Sequence, residues 1–349
     1  MVARLSSFAS DVRSTILTGL TTATATAISA TDTVLAALGK VQAQIAAVPP
    51  TPLKNRLFNG SMEVATRGTS SLAVPTNGSA PFAPGTYTLD RWNLQSASQA
   101  GTVSQVAVSG QSFRYALQYV ATFPANGSFY VLQRLEAADL NDLAGQTVTF
   151  SFYAGVSSAA ANATVTVQYA TTSSTDNWSS TGTQSNAQFG SGNTFSLTTT
   201  LTRYSATVTL PSTITTGFAV LLYFASNVSS STAATFQLSG CQLELGSSAT
   251  KLEKMPIGFE VTRCQRYYQS IYLTLGSYSG GASAVTTMQV ILSPPLRVTP
   301  TVTNNGVTYG NASAASVGGV TPGSASSSVT ASAAGNCYAY GTFNFSAEL

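Results

Sequence analysis

TVTFSFYAGV, residues 147–156, decides the fold. Val148, Phe150 and Phe152 alternate with Thr147, Thr149 and Ser151, the two-residue period of a strand with one buried face. Runs of the same texture surround it. ATVTVQYA (163–170), RYSATVTL (203–210), FAVLLYFAS (218–226) and TFQLSGCQLEL (235–245) read as strands between Gly/Ser/Asn turns. LEAADLNDLAG (135–145) reads as a turn leading into a strand. Their number and spacing predict a central antiparallel β-sandwich over residues 54–262.

Outward from that core, the texture changes twice. Residues 263–349 form a C-terminal β-rich domain with TTMQVILS (286–293), TPTVTNNGVTYG (299–310) and CYAYGTFNFSAEL (337–349) as its strands. SVGGVTPGSASSSVTASAAGN (316–336) is expected to be loop or weak edge strand. On the other side, three prolines make residues 49–53 a stiff linker. Residues 1–48 read as a helical attachment or oligomerisation segment. Val34, Leu38, Val41, Ile45 and Val48 follow spacings of 4, 3, 4 and 3, a coiled-coil-like heptad seam with Asp32 or Thr31 as its N-cap. Leu5, Ala9, Val12 and Ile16 repeat the spacing out of register, so a break is expected across residues 21–31. A helix this thin in apolar residues gains little alone, which favours an oligomeric bundle over one helix lying on its own body. The fold class is therefore mainly β with an N-terminal α-helical segment.

Composition narrows the function. Of 349 residues, 44% are hydrophobic and only 8% charged, so solubility rests on hydroxyls and amides. Such a surface suits a protein locked into an assembly or working outside a cell. A net charge of +3 without a Lys/Arg run excludes nucleic acid as the expected partner. The absence of histidine removes Ser-His-Asp and Cys-His nucleophile systems and imidazole metal ligands. Cys241, Cys264 and Cys337 lie far apart without a CxxC pair, and are expected as buried thiols; a Cys241–Cys264 disulfide stays open. No apolar run approaches the ~18 residues of a membrane span, and no secretory signal is visible, so no membrane insertion is expected.

An ordered series of segments carries a family likeness: NRLFNGSMEVATRGTS (55–70), YTLDRWNL (87–94), LQRLEAADLNDLAGQTVTFSFYAG (132–155), QLELGSSATKLEKMPIGFEVTRCQRYY (242–268) and FSAEL (345–349). The series resembles bacteriophage and prophage tail-fibre or virion surface proteins. The first and third segments also resemble carbohydrate-binding jelly-roll modules. The resemblance implies a jelly-roll sandwich, a homotrimer assembled in the host cytoplasm, a virion location, and contact with other virion proteins through the N-terminus. No cofactor is expected; the resemblance leaves room only for a structural Ca²⁺ held by the Glu136, Asp139 and Asp142 carboxylates and carbonyls of the N-terminal strand.

Four candidate sites follow. Glycan recognition needs flat aromatic faces beside amides and carboxylates. Trp178, among Asp176, Asn177 and Gln184 in a polar loop, fits that need; the alternatives are that the indole folds back on the sandwich or meets a neighbouring subunit. Trp92 shares a face with Leu94 and reads as core. Glu136, Asp139 and Asp142 form the one acidic cluster and read as a solvated turn, although paired carboxylates could hydrolyse a glycoside. Cys264, Arg266, Tyr267 and Tyr268, in CQRYYQSIYL (264–273), read as an interdomain junction preceded by extended chain. The expected function is a non-enzymatic fibre or adhesin subunit contacting a host cell-surface glycan. A virion decoration or connector protein is the first alternative and a carboxylate depolymerase the second.

Overall fold

The computed structural model describes residues 26–46, 53–70, 72–74, 86–96, 100–121, 127–157, 162–178, 184–226 and 233–349. The chain divides into two units, Met1–Lys54 and Asn55–Leu349.

In the first unit, α1 (Val34–Ala46) starts where the Thr33 hydroxyl accepts the Ala36 N–H at 3.2 Å. The cap is thus Thr33, not Asp32 or Thr31. Asp32 accepts the Ser29 N–H at 2.7 Å and pairs with Lys40 at 2.8 Å, which holds its carboxyl below the usual range. Residues 26–27 run back beside the helix, where their carbonyls accept from Gln44 and Lys40. Val34, Leu38 and Val41 are exposed. The coiled-coil expectation is not supported: α1 has 13 residues, less than two heptads, and the chain before it folds back instead of extending it. Ile45 lies within α1, while Val48 and the seam over residues 5–16 lie outside the described residues.

The second unit begins with β1 (Leu72–Val74), β2 (Thr86–Tyr87), β3 (Asn93–Ser96), β4 (Gly101–Ala107), β5 (Tyr115–Ala121) and β6 (Gly127–Leu135). It continues with β7 (Thr147–Val156), β8 (Thr164–Thr172), β9 (Gln184–Gln188), β10 (Thr194–Ser196), β11 (Thr202–Thr209), β12 (Phe218–Ser226) and β13 (Ala234–Leu245). These make two antiparallel sheets. One has six strands in the order β1-β4-β5-β13-β7-β11; the other has seven, β10-β8-β12-β6-β3-β2 with β9 beside β8. From β5 to β8, and again from β11 to β13, each strand enters the sheet opposite its predecessor, a jelly-roll-like path. Period-2 alternation drives this pairing, because each sheet must bury one face. Val148, Phe150 and Phe152 all point inward and are fully buried. Phe129 stacks on Phe224 at 4.8 Å, and Phe236 of the facing sheet meets both rings edge-on. Trp92 lies in the same core and donates its indole N–H to the Asn59 carbonyl at 3.0 Å.

After the sandwich comes α2 (Ile257–Gln265), where extended chain was expected. Its first turn closes on Pro256, whose carbonyl accepts the Phe259 and Glu260 N–H groups. Then follow β14 (Tyr268–Ser279), β15 (Val285–Ile291), β16 (Thr301–Gly310), β17 (Ala312–Gly318), β18 (Ser324–Ala331) and β19 (Gly335–Ser346). They form two three-stranded antiparallel sheets, β14-β19-β16 and β15-β18-β17. The Gly/Ser-rich stretch therefore supplies a central strand. Ala325, Ser327, Val329 and Ala331 alternate inward, a period hidden by their small size.

Candidate functional site

Inward-pointing Phe129, Val131, Leu222 and Phe224 fix the other residues of β6 and β12 on the outer face of the seven-stranded sheet. Register sets Gln95, Tyr130, Tyr223 and Thr166 in one cross-strand row of that face. Asn93, Leu132, Leu221 and Gln168 make the next row, followed by Arg134, Ala219 and Ala170. The rings of Tyr130 and Tyr223 lie 4.9 Å apart at 42°, each half-buried. Leu132 and Leu221 form a buried apolar floor beside them. The Gln95 amide donates to Asn93 Oδ1 at 3.1 Å. The Arg134 guanidinium lies 5.3 Å from the Trp178 ring, closing one end.

This face is chemically incomplete. Asn93 Nδ2, Gln168 Oε1, Arg134 Nε and Nη2, and Trp178 Nε1 are buried without hydrogen-bond partners among the described residues. A buried polar group left unmet costs on the order of 1–3 kcal/mol, so native proteins rarely collect several on one surface. Burial lowers the pKa of Arg134. Burial, then the neighbouring Tyr223, raises that of Tyr130, which keeps its hydroxyl a donor well into alkaline solution. The arrangement offers two aromatic rings, an apolar floor and unspent donors and an acceptor.

The outer face of the six-stranded sheet is polar too, but satisfied. Gln118 and Gln237 pair their amides at 3.2 Å, and Tyr153 meets Phe113 edge-on at 5.1 Å. Its cavity of about 180 Å³, lined by Gly155, Thr199, Thr235 and Gln237, holds no orphaned side-chain atom.

The loop residues expected to bind glycan are placed differently. Trp178 is 5% exposed and belongs to the main core, so it offers no open stacking face; the fold-back alternative describes it. The polar loop puts it there because Asp176 is anchored. Asp176 Oδ1 accepts the Ala137 N–H at 2.7 Å, its own N–H meets Thr216 O, and Arg297 stands 3.8 Å from its other oxygen. Asn177 closes a turn onto Ser174 O. Gln184 opens β9 in register with Thr172. The two outer-face tyrosines were missed, yet Tyr223 carried a signal: it interrupts the apolar run FAVLLYFA, residues 218–225.

The acidic cluster is engaged elsewhere. Glu136 accepts from the Tyr267 hydroxyl at 2.5 Å and from Arg266 at 3.0 Å, and Asp142 pairs with Arg56. Burial, then the Glu136 charge, raises the pKa of Asp139. Among the described residues no three His, Cys, Asp or Glu side chains gather as a metal cage.

CQRYYQSIYL spans the end of α2 and the start of β14. Tyr267 is fully buried, with the Arg91 guanidinium 3.4 Å above its ring and Phe58 edge-on at 5.4 Å. Arg67 lies 3.7 Å above Tyr268. Glu348 draws Arg67 and Arg91 together, and the Leu349 carbonyl accepts from Tyr87 and Arg134. Cys264 is buried, and with Cys241 and Cys337 it is a free thiol. Burial raises the Cys264 pKa, so it is not an activated nucleophile.

No family model and no curated protein matches the chain. Among solved structures, carbohydrate-binding modules from the β-sandwich superfamily match at 16% identity and TM-score 0.32, over 48% of this chain and 62% of that one. This chain thus spans less than two thirds of that structure. A Bacteroides thetaiotaomicron protein described as a "putative sugar binding protein" matches at 12% identity and TM-score 0.36, over 55% of this chain and 100% of the other. The enzymatically active domain of tailspike protein 4 from bacteriophage CBA120 matches at 10% identity and TM-score 0.32, over 56% of this chain and 22% of that one.

Proposed function

We propose that this chain is a non-enzymatic fibre or adhesin subunit of a bacteriophage virion, and that the outer sheet face around Tyr130 and Tyr223, on β6 and β12, takes a host cell-surface glycan. The observation that carries the glycan reading is the pair of half-buried rings Tyr130 and Tyr223, with the partly exposed Thr166 and Gln168 beside them in register. A pyranose presents C–H groups to a ring face and hydroxyls, each donor and acceptor, to amides. The virion reading rests on the ordered motif series and on the 8% charged content. Exposed Val34, Leu38 and Val41 on α1 support attachment to other virion proteins or a homotrimer. Against the depolymerase alternative, Glu136 spends both oxygens on Tyr267 and Arg266, and Asp142 faces Arg56.

A glycan array on the intact protein, followed by titration of its best ligand, tests the reading. Tyr130→Ala with Tyr223→Ala is expected to weaken binding at least about tenfold, equivalent to ~1.4 kcal/mol, without loss of folding. Equal binding by that variant, or no glycan bound by the intact chain at millimolar sugar, overturns it.

A further inference from the structure

The sheet β14-β19-β16 buries one face and exposes the other. Leu273, Leu275, Ala339, Phe343 and Phe345 point into the C-terminal core. Their neighbours in sequence point out, and three of these are tyrosines: Tyr272, Tyr340 and Tyr338, exposed by 62%, 37% and 45%. Isolated exposed tyrosines need no explanation, but these are ordered. Ring centroids of Tyr338 and Tyr340 lie 6.1 Å apart with planes only 13° from parallel. Tyr272 follows Tyr340 at 6.3 Å and 38°.

Glycine makes the arrangement possible. Gly310 pairs with Tyr338 across β16 and β19. A Cβ at Gly310 would stand 2.1 Å from Tyr338 Cζ. The ring therefore lies down over the bare backbone of the neighbouring strand, presenting a face to solvent rather than standing up from the sheet. Register sets Thr342, Asn344 and Asn305 beside the rings, and the Asn344 amide oxygen accepts from the Ser270 hydroxyl at 2.8 Å. The strands β14, β16 and β19 contain no Asp, Glu, Lys or Arg, so neither face of the sheet carries a charged side chain of its own.

We infer that this tyrosine strip is a second carbohydrate-binding surface, separate from the outer face of the sandwich, and that it takes an uncharged polysaccharide chain lying across the sheet. Aligned ring faces meet the C–H faces of successive sugars, and the flanking hydroxyls and amides meet their hydroxyls. Without a cation, the strip has nothing to repay desolvation of a carboxylated or sulfated sugar. A second copy of the chain fits less well. The core of a homodimer interface is more apolar than the general surface, and the outward positions here carry no Leu, Ile, Val, Met or Phe.

The test uses the full chain and affinity electrophoresis in gels containing mannan, xylan or mixed-linkage β-glucan, with polygalacturonate as the anionic control. At least one neutral polymer is expected to retard the protein and polygalacturonate is not. Tyr338→Ala with Tyr340→Ala is expected to abolish retardation, and the single exposed change Tyr272→Ala, which bears on no buried contact, to weaken it several-fold. Retardation by the neutral polymer is expected to persist in Tyr130→Ala with Tyr223→Ala, so failure of the sandwich face and failure of the strip are read separately. Unchanged retardation in both strip variants, retardation by polygalacturonate alone, or no retardation by any polymer overturns the inference. So does a sedimentation shift showing that Tyr272→Ala dissociates an oligomer while retardation is kept, which would assign the strip to a second copy.

Discussion

The outer face of the seven-stranded sheet and the junction at Tyr267 are both dense in polar side chains, yet they are built oppositely. At the junction most charges meet an opposite charge, although Arg91 Nε lacks a hydrogen bond there. Arg91 and Arg67 share Glu348, Arg266 meets Glu136, and even Arg67 Nη1 and Asp90 Oδ1, which lack hydrogen bonds, face each other at 3.7 Å. On the outer-face side, Asn93, Gln168 and Trp178 are neutral and hold atoms with no counterpart. Chemical variety in a sequence does not mark a site; unspent bonding capacity in the fold does. The two regions should then respond to substitution in different currencies, the junction in stability and the outer face in binding.

The largest effect is expected at Arg91. Arg91→Met keeps the side-chain length but leaves the Glu348 carboxylate, 6% exposed, with Arg67 alone. It also removes the cation from the Tyr267 ring. Breaking one partner of a buried pair costs about 3–5 kcal/mol, and the remaining Arg67 contact puts the expected loss near the lower end. Urea unfolding would measure it, and glycan affinity of the folded fraction should not change. A stability loss within experimental error would mean that the junction is no more of a structural seam than the outer face.

Alkali should sharpen the same contrast. Burial is the leading cause that raises the pKa of Tyr87, Tyr267 and Tyr268 above the ordinary 10.0, and of Cys241 and Cys264 above 9.0. Each of these groups keeps its proton in the folded chain where the unfolded chain releases it. Their contribution is complete below the unfolded value and is lost as pH rises toward the folded one. The melting temperature is expected to hold up to about pH 9 and then fall steadily. In Tyr267→Phe the fall should be shallower above pH 10, because one proton-linked group is gone. An unchanged slope would show that Tyr267 contributes nothing to it.

Much of the sandwich was legible because period-2 alternation is strong in β7 and β8, and β12 is a short continuous apolar run bounded by turn residues. β18 was hidden because its inward residues are Ala, Ser and Val, too small to stand out from a Ser/Thr-rich background. α2 was hidden because its nine residues carry one buried side chain, Cys264, so no apolar stripe exists to read. The outer-face site was less legible still. Tyr130, Tyr223, Asn93 and Gln168 come from four strands, and only sheet order and register bring them into adjacent rows. Trp178 drew the reading toward its loop because composition reports that an indole has polar neighbours, not that Asp176 anchors those neighbours and turns the ring inward.

The smallest stability effect, and the closest comparison, lies between two glutamines. Gln133 points into the core, where its amide accepts the Phe58 N–H at 2.7 Å and donates to the Phe58 carbonyl at 2.8 Å. Gln168 sits on the outer face with Oε1 unpartnered. Gln133→Leu strands two buried backbone groups and should cost about 1–3 kcal/mol. Gln168→Leu removes an unmet acceptor and replaces it with a side chain of similar size beside Leu221, which should leave stability unchanged within about 0.5 kcal/mol or raise it slightly. The same change deletes an acceptor that a sugar hydroxyl would satisfy, so glycan affinity should fall severalfold. Destabilisation by Gln168→Leu equal to that of Gln133→Leu, with affinity intact, would mean that Oε1 is already satisfied in solution and that the outer face is a structural surface like the junction.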